Sequence, residues 1–376
     1  MAPDLSLGSL RAGSQRRLFA HYPWHIAFLV IGICALGLWN LASAARTAHG
    51  QVWISQLQAM GIGLAVAFMI AFLDYRVFMR VAYVFYGAVV LLLLMVLVKG
   101  HVVMGARRWI MIGPVNFQPS ELAKIAVALA LARYFHFDSE KRKDGYGLIN
   151  LAIPMIITLV PAVLILKEPD LGTAVIVASI GVSMILFAGV RWGTLAVLGV
   201  VVVLGAGFSW QHLKPYQRKR VETFLNPEGD ALGAGYHATQ SIIAVGSGQA
   251  LGKGWGQGTQ TRLRFLPEQH TDFIFSVWAE EHGFFGCLLL LLLFYALVAS
   301  GITVVGNARD RFGHFLAAGV TSMFFWHAFI NMGMVTGVMP VVGVTLPFMS
   351  YGGSSALVSF LAAGLLADVG MRRFVN

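Results

Sequence analysis

The sequence predicts an all-α integral membrane protein of about ten transmembrane helices, with one long outer loop between the seventh and the eighth. Three observations carry that expectation. Of the 376 residues, 57% are hydrophobic and only 12% charged. A soluble domain carries about a quarter charged residues, so too few are present here to cover a water-facing surface. The mean hydropathy is +0.73, and the apolar residues come in runs close to the about 20 residues with which a helix crosses a bilayer.

Measured against that length, the spans fall at roughly 24–45, 52–73, 77–98, 121–137, 147–167, 172–189, 193–210, 273–305, 312–338 and 354–371. The fourth and sixth are short, and the eighth and ninth are long enough to tilt or to extend beyond the lipid. Residues 1–23 read as a tail rather than a signal peptide, because the first span is too long for an h-region. Residues 24–371 form one polytopic membrane domain that includes the outer loop 211–272, and 372–376 a second short tail. Cys34 and Cys287 both lie inside apolar runs, where a thiol behaves as a small hydrophobe. Neither a disulfide framework nor metal-ligand spacing is implied.

Lys and Arg in short loops set the orientation. With the N-terminus inside, the inner segments collect 14 basic residues: Arg11, Arg16, Arg17, Arg76, Arg80, Arg133, Lys141, Arg142, Lys143, Arg191, Arg309, Arg311, Arg372 and Arg373. The short outer segments hold five, namely Arg46, Lys99, Arg107, Arg108 and Lys167. Both termini are therefore expected in the cytoplasm. Much of the net charge of +10 is then topology rather than a nucleic-acid footprint. Segments 99–120, 168–171, 211–272 and 339–353 face outward, and they contain nearly every Gly-rich or mixed-charge stretch. Function is expected on that side.

Each of these stretches has a chemical reading and a plain structural one. Arg107-Arg108-Trp109 precedes Gln118-Pro119-Ser120-Glu121-Leu122-Ala123-Lys124. Ser120 is placed to cap the fourth helix, and Glu121 favours its positive end. Glu121 and Lys124 share a face at i,i+3; as a pair in a membrane they face protein or a wet cavity, or form an interfacial bridge with a snorkelling lysine. Lys167-Glu168-Pro169-Asp170 reads as a turn in which Asp170 caps the sixth helix, or as two carboxylates available to a cation or a sugar hydroxyl.

The long segment opens with Lys214-Pro215-Tyr216-Gln217-Arg218-Lys219-Arg220. That basic run suits lipid headgroups or a diphosphate, since arginine offers a fork matching phosphate oxygens. Gly246 to Gly258, around Lys253, is dense in glycine without matching a nucleotide fingerprint. It reads as a flexible loop or as a path that lets backbone approach a ligand. Asp272, at the end of Pro267-Glu268-Gln269-His270-Thr271-Asp272, stands one residue before an apolar run. It reads as an N-cap or as a general base whose pKa partial burial raises from about 3.9. Glu280, Glu281 and His282 fall inside the eighth span and should face protein or water. Segment 339–355, broken by proline and glycine, suits a re-entrant loop packed in protein. His327 in the ninth span reads as a packing residue.

QPSELAK (118–124), PDLGTA (169–174), GAGYHATQSIIAVGSG (233–248), FLPEQHTDFIFSVWAEEHGFFG (265–286) and LPFMSYGGSS (346–355), in this order on ten spans, resemble the SEDS family of shape, elongation, division and sporulation proteins. The resemblance covers roughly residues 20–372. GKGWGQGTQ (252–260) and PYQRKRV (215–221) are more similar to its elongation branch than to its division branch. His282 is a departure, since the family usually carries an aliphatic residue there.

This resemblance implies an inner-membrane peptidoglycan glycosyltransferase that uses lipid II. It also implies a class B penicillin-binding protein as the transpeptidase partner, other elongation-complex membrane proteins alongside, and no nucleic acid. The family's essential aspartate falls on Asp272, its Glu–Lys pair on Glu121 and Lys124, its PDLGT aspartate on Asp170 and its RW arginine on Arg108. Asp272 is thus the catalytic candidate. The substrate-binding candidates are Arg108, Glu121, Lys124, Asp170, Arg218, Arg220, Lys253, His270 and Ser354. No protein metal site is expected; a divalent cation such as Mg²⁺ is the one cofactor candidate, as counter-charge to the diphosphate. The rival readings are a flippase of the same precursor and a non-catalytic scaffold for the penicillin-binding protein.

Overall fold

The computed structural model describes residues 21–45, 52–103, 106–112, 115–138, 145–212, 215–226, 234–263, 265–266 and 268–374. The chain opens with α1 (Trp24–Ala44), α2 (Val52–Phe72) and α3 (Tyr75–Lys99). Three strands follow, β1 (His101–Val103), β2 (Ala106–Ile112) and β3 (Val115–Phe117), then α4 (Pro119–Asp138), α5 (Ala152–Lys167), α6 (Leu171–Phe187) and α7 (Trp192–His212). The long segment carries α8 (Pro215–Leu225), α9 (Ala234–Ser247) and α10 (Thr259–Arg262). The last helices are α11 (Ile274–Asn307), α12 (Arg311–Val335) and α13 (Gly353–Met371).

Each expected span falls on one of α1–α7 and α11–α13. Seven of these segments are long and apolar enough to cross a membrane; α6 and the apolar part of α7, Trp192–Gly205, are shorter. The remaining one, α4, carries Glu121, Lys124 and Arg133 yet is buried along almost its whole length. It packs against α3, α6 and α12, and alanines at 123, 126, 128, 130 and 132 let those neighbours approach closely. Its charges therefore face protein rather than lipid.

The segment between α3 and α4, expected only as an outer loop, is an antiparallel three-stranded sheet in the order β1-β2-β3. The run Arg107-Arg108-Trp109-Ile110-Met111-Ile112 is rich in residues that suit a pleated surface, a signal that the search for apolar runs passes over. The helix after it starts two residues earlier than expected, at Pro119, the position where proline's missing N–H is harmless. Ser120 is therefore inside the first turn and does not cap. Its hydroxyl instead accepts from the Gln118 amide at 2.9 Å.

The glycine-dense stretch is not a loose loop. It lies on α11, whose helical geometry breaks at Gly283 (φ 62°). Backbone hydrogen bonds to residues 249–254 bridge the break. Lys253 and Gly254 N–H donate to the Glu280 and Glu281 carbonyls at 3.0 Å each, and Phe284 N–H donates to the Gln249 carbonyl at 2.8 Å. A Cβ on Gly252 would lie 2.1 Å from the Glu281 carbonyl oxygen, so only glycine permits the contact.

Residues 338–352, between α12 and α13, form no regular element. Val344, Leu346, Phe348, Met349 and Ser350 are buried. The Gln56 side chain holds the segment from α2, donating to the Ser350 carbonyl at 3.0 Å and accepting from Gly352 N–H at 3.1 Å. Backbone polar groups satisfied by protein in this way are what irregular chain inside a membrane bundle requires.

Candidate active site

A cavity of about 410 Å³ opens where the ends of α4, α6, α11, α12 and α13 meet. The turn before α11 contributes Glu268, His270, Thr271 and Asp272, and β2 contributes Arg108 and Trp109. Asp170 and Glu121 line it from their helix ends and His327 from within α12, with Gly343–Thr345 and Tyr351–Ser355 closing one wall.

Asp272 does not cap α11. The residue at the cap position is Phe273, with no side-chain cap hydrogen bond. The carboxylate instead faces the irregular wall, where a Cβ on Gly343 would come within 3.0 Å of its Oδ2. Burial, with smaller contributions from Glu268 and Asp170, pushes its pKa up to about 6 against the pull of Arg220 and Arg108. Half-buried and poised near neutrality, it has the properties of a proton acceptor.

Glu121 and Lys124 form a buried pair, with Nζ donating to Oε2 at 2.7 Å. Lys124 also lies 3.1 Å from His327 Nε2, and His327 Nδ1 lies 3.0 Å from the Thr345 carbonyl. An ammonium only donates, so Nε2 accepts and the ring proton sits on Nδ1, donated to Thr345. His327 is thus a neutral link between the ion pair and the irregular wall, not simple packing. Sequence spacing carries no signal of it.

Asp170 does cap its helix, accepting from Thr173 N–H at 3.1 Å through Oδ1. Its second oxygen accepts from the Gln118 amide at 2.8 Å. Structural cap and cavity residue are here the same side chain. Arg108 is steered by the neighbouring turn, its Nε donating to the Glu168 carbonyl at 3.1 Å and its Nη2 to the Pro169 carbonyl.

Glu168 itself is buried, and neither carboxylate oxygen has a hydrogen-bond partner among the described residues. Burial, then Asp170, raises its pKa from 4.5 to about 8, against Arg108. A pKa raised on folding means that the neutral carboxyl is the stabilised form. Its contribution is fully present below 4.5 and is lost as pH rises through about 8. Glu168→Gln, neutral throughout, is therefore expected to gain thermal stability relative to the wild type as pH rises from 6 to 8. Parallel melting curves across that range would contradict the assignment.

The remaining candidates are divided. His270 lines the cavity beside Tyr351, ring centroids 5.8 Å apart. The Ser354 hydroxyl joins α13 to β3, donating to the Asn116 carbonyl and accepting from Gln118 N–H, each at 3.3 Å. Arg220 reaches the irregular wall, donating to the Val342 carbonyl at 3.0 Å. Arg218 lies outside the cavity, exposed and bridged to Glu222 at 2.8 Å. Lys253 is also elsewhere, 2.7 Å from the fully buried Glu280, which further accepts from Thr259 and from Gln260 N–H. Glu281 is buried and accepts from the Ser43 hydroxyl at 2.5 Å. These two carboxylates serve packing of segment 249–260 and α1 onto α11.

Bundle and cavity together define a multi-pass membrane protein with a carboxylate and arginine site at one end. The chain belongs to the FTSW_RODA_SPOVE family of cell cycle proteins, whose model matches residues 20–374. It is 42% identical over 318 residues to the peptidoglycan glycosyltransferase MrdB of Escherichia coli (strain K12), covering 84% of each chain. Among solved structures it resembles a chain from work on structural coordination of polymerization and crosslinking by a peptidoglycan synthase complex. There the TM-score is 0.82 and the identity 36%, over 94% of this chain and 99% of that one. It also resembles the rod shape determining protein RodA of Thermus thermophilus, with a TM-score of 0.71 and 32% identity over 94% of this chain and 98% of that one.

Proposed function

We propose that the protein is a peptidoglycan glycosyltransferase of the elongation branch, polymerising lipid II into β-1,4 glycan strands on the outer face of the cytoplasmic membrane. The observation that carries this reading is the Asp272 carboxylate, uncapped, raised to about 6 and facing a cavity that Arg108 also lines. In the reaction an acceptor 4-hydroxyl oxygen attacks the donor's anomeric carbon, and its proton passes to Asp272. The anomeric carbon–oxygen bond breaks, its electron pair leaving with the lipid diphosphate, and the α linkage inverts to β. A diphosphate departs without a proton, so no second acid is needed, unlike a typical glycosidase. It does need positive charge, which Arg108 supplies in the cavity and Arg220 beside it. Among the described residues no three His, Cys, Asp or Glu side chains converge as metal ligands. A divalent cation such as Mg²⁺ is proposed as further counter-charge to the diphosphate, with the cavity carboxylates Asp170 and Asp272 available to it.

Purified protein with labelled lipid II in detergent is expected to yield polymer, with an EDTA and Mg²⁺ series measuring the cation's share. Transport of lipid II without polymer would establish the flippase reading. Polymer only with a synthase partner's own glycosyltransferase present would establish the scaffold. A class B penicillin-binding protein is proposed as the partner, in line with the synthase complex of the similar chain.

The orientation is testable separately. In a background with Cys34→Ala and Cys287→Ala, Gln257→Cys in the outer segment is expected to react with an impermeant maleimide in intact spheroplasts. Asn307→Cys, at the opposite end of α11, is expected to stay unlabelled. The reverse pattern would place the cavity in the cytoplasm and end the proposal for an outer-face enzyme.

A further inference from the structure

Three consecutive carbonyls of the turn that bears Asp272 are each held by a donor from elsewhere in the chain. The His270 carbonyl accepts from Tyr351 N–H at 2.8 Å, and the Thr271 carbonyl from the Ser350 hydroxyl at 2.7 Å. The Asp272 carbonyl accepts from Asn331 Nδ2 at 2.9 Å. The third clamp differs from the others. Asn331 lies on α12 and is fully buried, and the same Nδ2 also donates to the Val344 carbonyl at 2.6 Å. Both neighbours are acceptors, so the amide can have only this orientation.

One NH₂ group therefore joins the backbone of Asp272 to the backbone next to Gly343, the residue against which the Asp272 carboxylate lies. One turn earlier on the same helix, His327 holds the adjoining Thr345 carbonyl. Helix α12 thus grips two successive carbonyls of the irregular wall and, through Asn331, ties that wall to the residue proposed as the base.

We infer that Asn331 is a positioning residue: it sets the distance and direction of the Asp272 carboxylate relative to the wall at Gly343 without touching substrate. This rests on the glycosyltransferase reading with Asp272 as base. General-base catalysis needs the carboxylate within hydrogen-bond reach of the acceptor hydroxyl, and a misplacement of about 1 Å can lower a rate about 100-fold. Removing the NH₂ frees the Asp272 carbonyl from the wall, whereas the two other clamps still hold the turn.

The test is a double-mutant cycle on lipid II polymerisation. Asn331→Ala removes both donors; Asn331→Leu, which removes them while keeping the branched side-chain shape and adding no charge, serves if the alanine variant does not fold. Each is measured alone and combined with Asp272→Asn. A positioning role predicts that the single variant loses about 100-fold in kcat with KM within about two-fold. In the Asp272→Asn background the same substitution is then expected to lower the residual rate no further. If it costs the same factor on both backgrounds, or raises KM at constant kcat, Asn331 acts on the fold or on binding and the inference fails. Asp272→Asn running at the wild-type rate would instead overturn the base assignment, and the inference with it, a result distinct from the first.

Discussion

Asp272→Asn is expected to fold and insert normally and to lose glycan polymerisation by about 10²- to 10⁴-fold, the usual share of general-base catalysis. Asparagine preserves the size and the polar edge but cannot take a full proton. The structure sharpens this test, because the side chain is not the cap of α11 and the substitution removes no capping bond. A pH profile supplies a second readout. The base works ionised, so the wild-type rate should climb with pH through about 6 and then level off. That limb should be absent from the residual activity of the variant. A carboxylate that ligated a cation would show a similar loss, and partial rescue by raised Mg²⁺ would reassign it. Wild-type polymerisation by a correctly inserted Asp272→Asn protein would remove Asp272 from the mechanism.

Lys124→Ala is expected to produce the largest effect on stability. The substitution strands the Glu121 carboxylate in a site where both side chains are almost completely buried. Breaking a buried pair by removing one partner costs about 3–5 kcal/mol. It also takes away the donor that His327 Nε2 accepts, loosening the link to Thr345, so activity should fall with stability. A compensating pair of apolar residues, Glu121→Leu with Lys124→Met, is expected to recover much of the thermal stability without recovering polymerisation, since well-packed apolar replacements of buried pairs are often neutral or better. Unchanged melting of Lys124→Ala in detergent would mean that the pair is wet and contributes little.

Hydropathy alone located α1–α7 and α11–α13 to within about five residues, because crossing lipid demands a long run of apolar chain wherever the helix sits in the bundle. Even α4, the least apolar, was legible, although its reason for tolerating charge was not. That reason is burial against α3, α6 and α12. Motifs singled out Arg108, Asp170, His270 and Asp272, since each stands at a break between apolar runs, where polar residues have few reasons to be. What spacing left open was decided by contacts across the fold. Asp170 proved to be a cap that also lines the cavity, whereas Asp272 lines the cavity without capping. Arg218 and Lys253 looked equivalent to Arg220 in a basic outer segment, but only Arg220 reaches the irregular wall. His327 and Asn331 lie within an apolar stretch and repeat no motif of their own, and Glu168 was legible only as one of two carboxylates in a turn, not as a buried one. They matter because α12 and the 168–170 turn meet chain segments far away in sequence, with Asn331 bonded to residues 59 and 13 positions distant. Periodicity and composition are properties of neighbouring residues, and so they report which helices form. Which carbonyl an amide meets across the bundle depends on how those helices pack, and that is set only when the whole chain is folded.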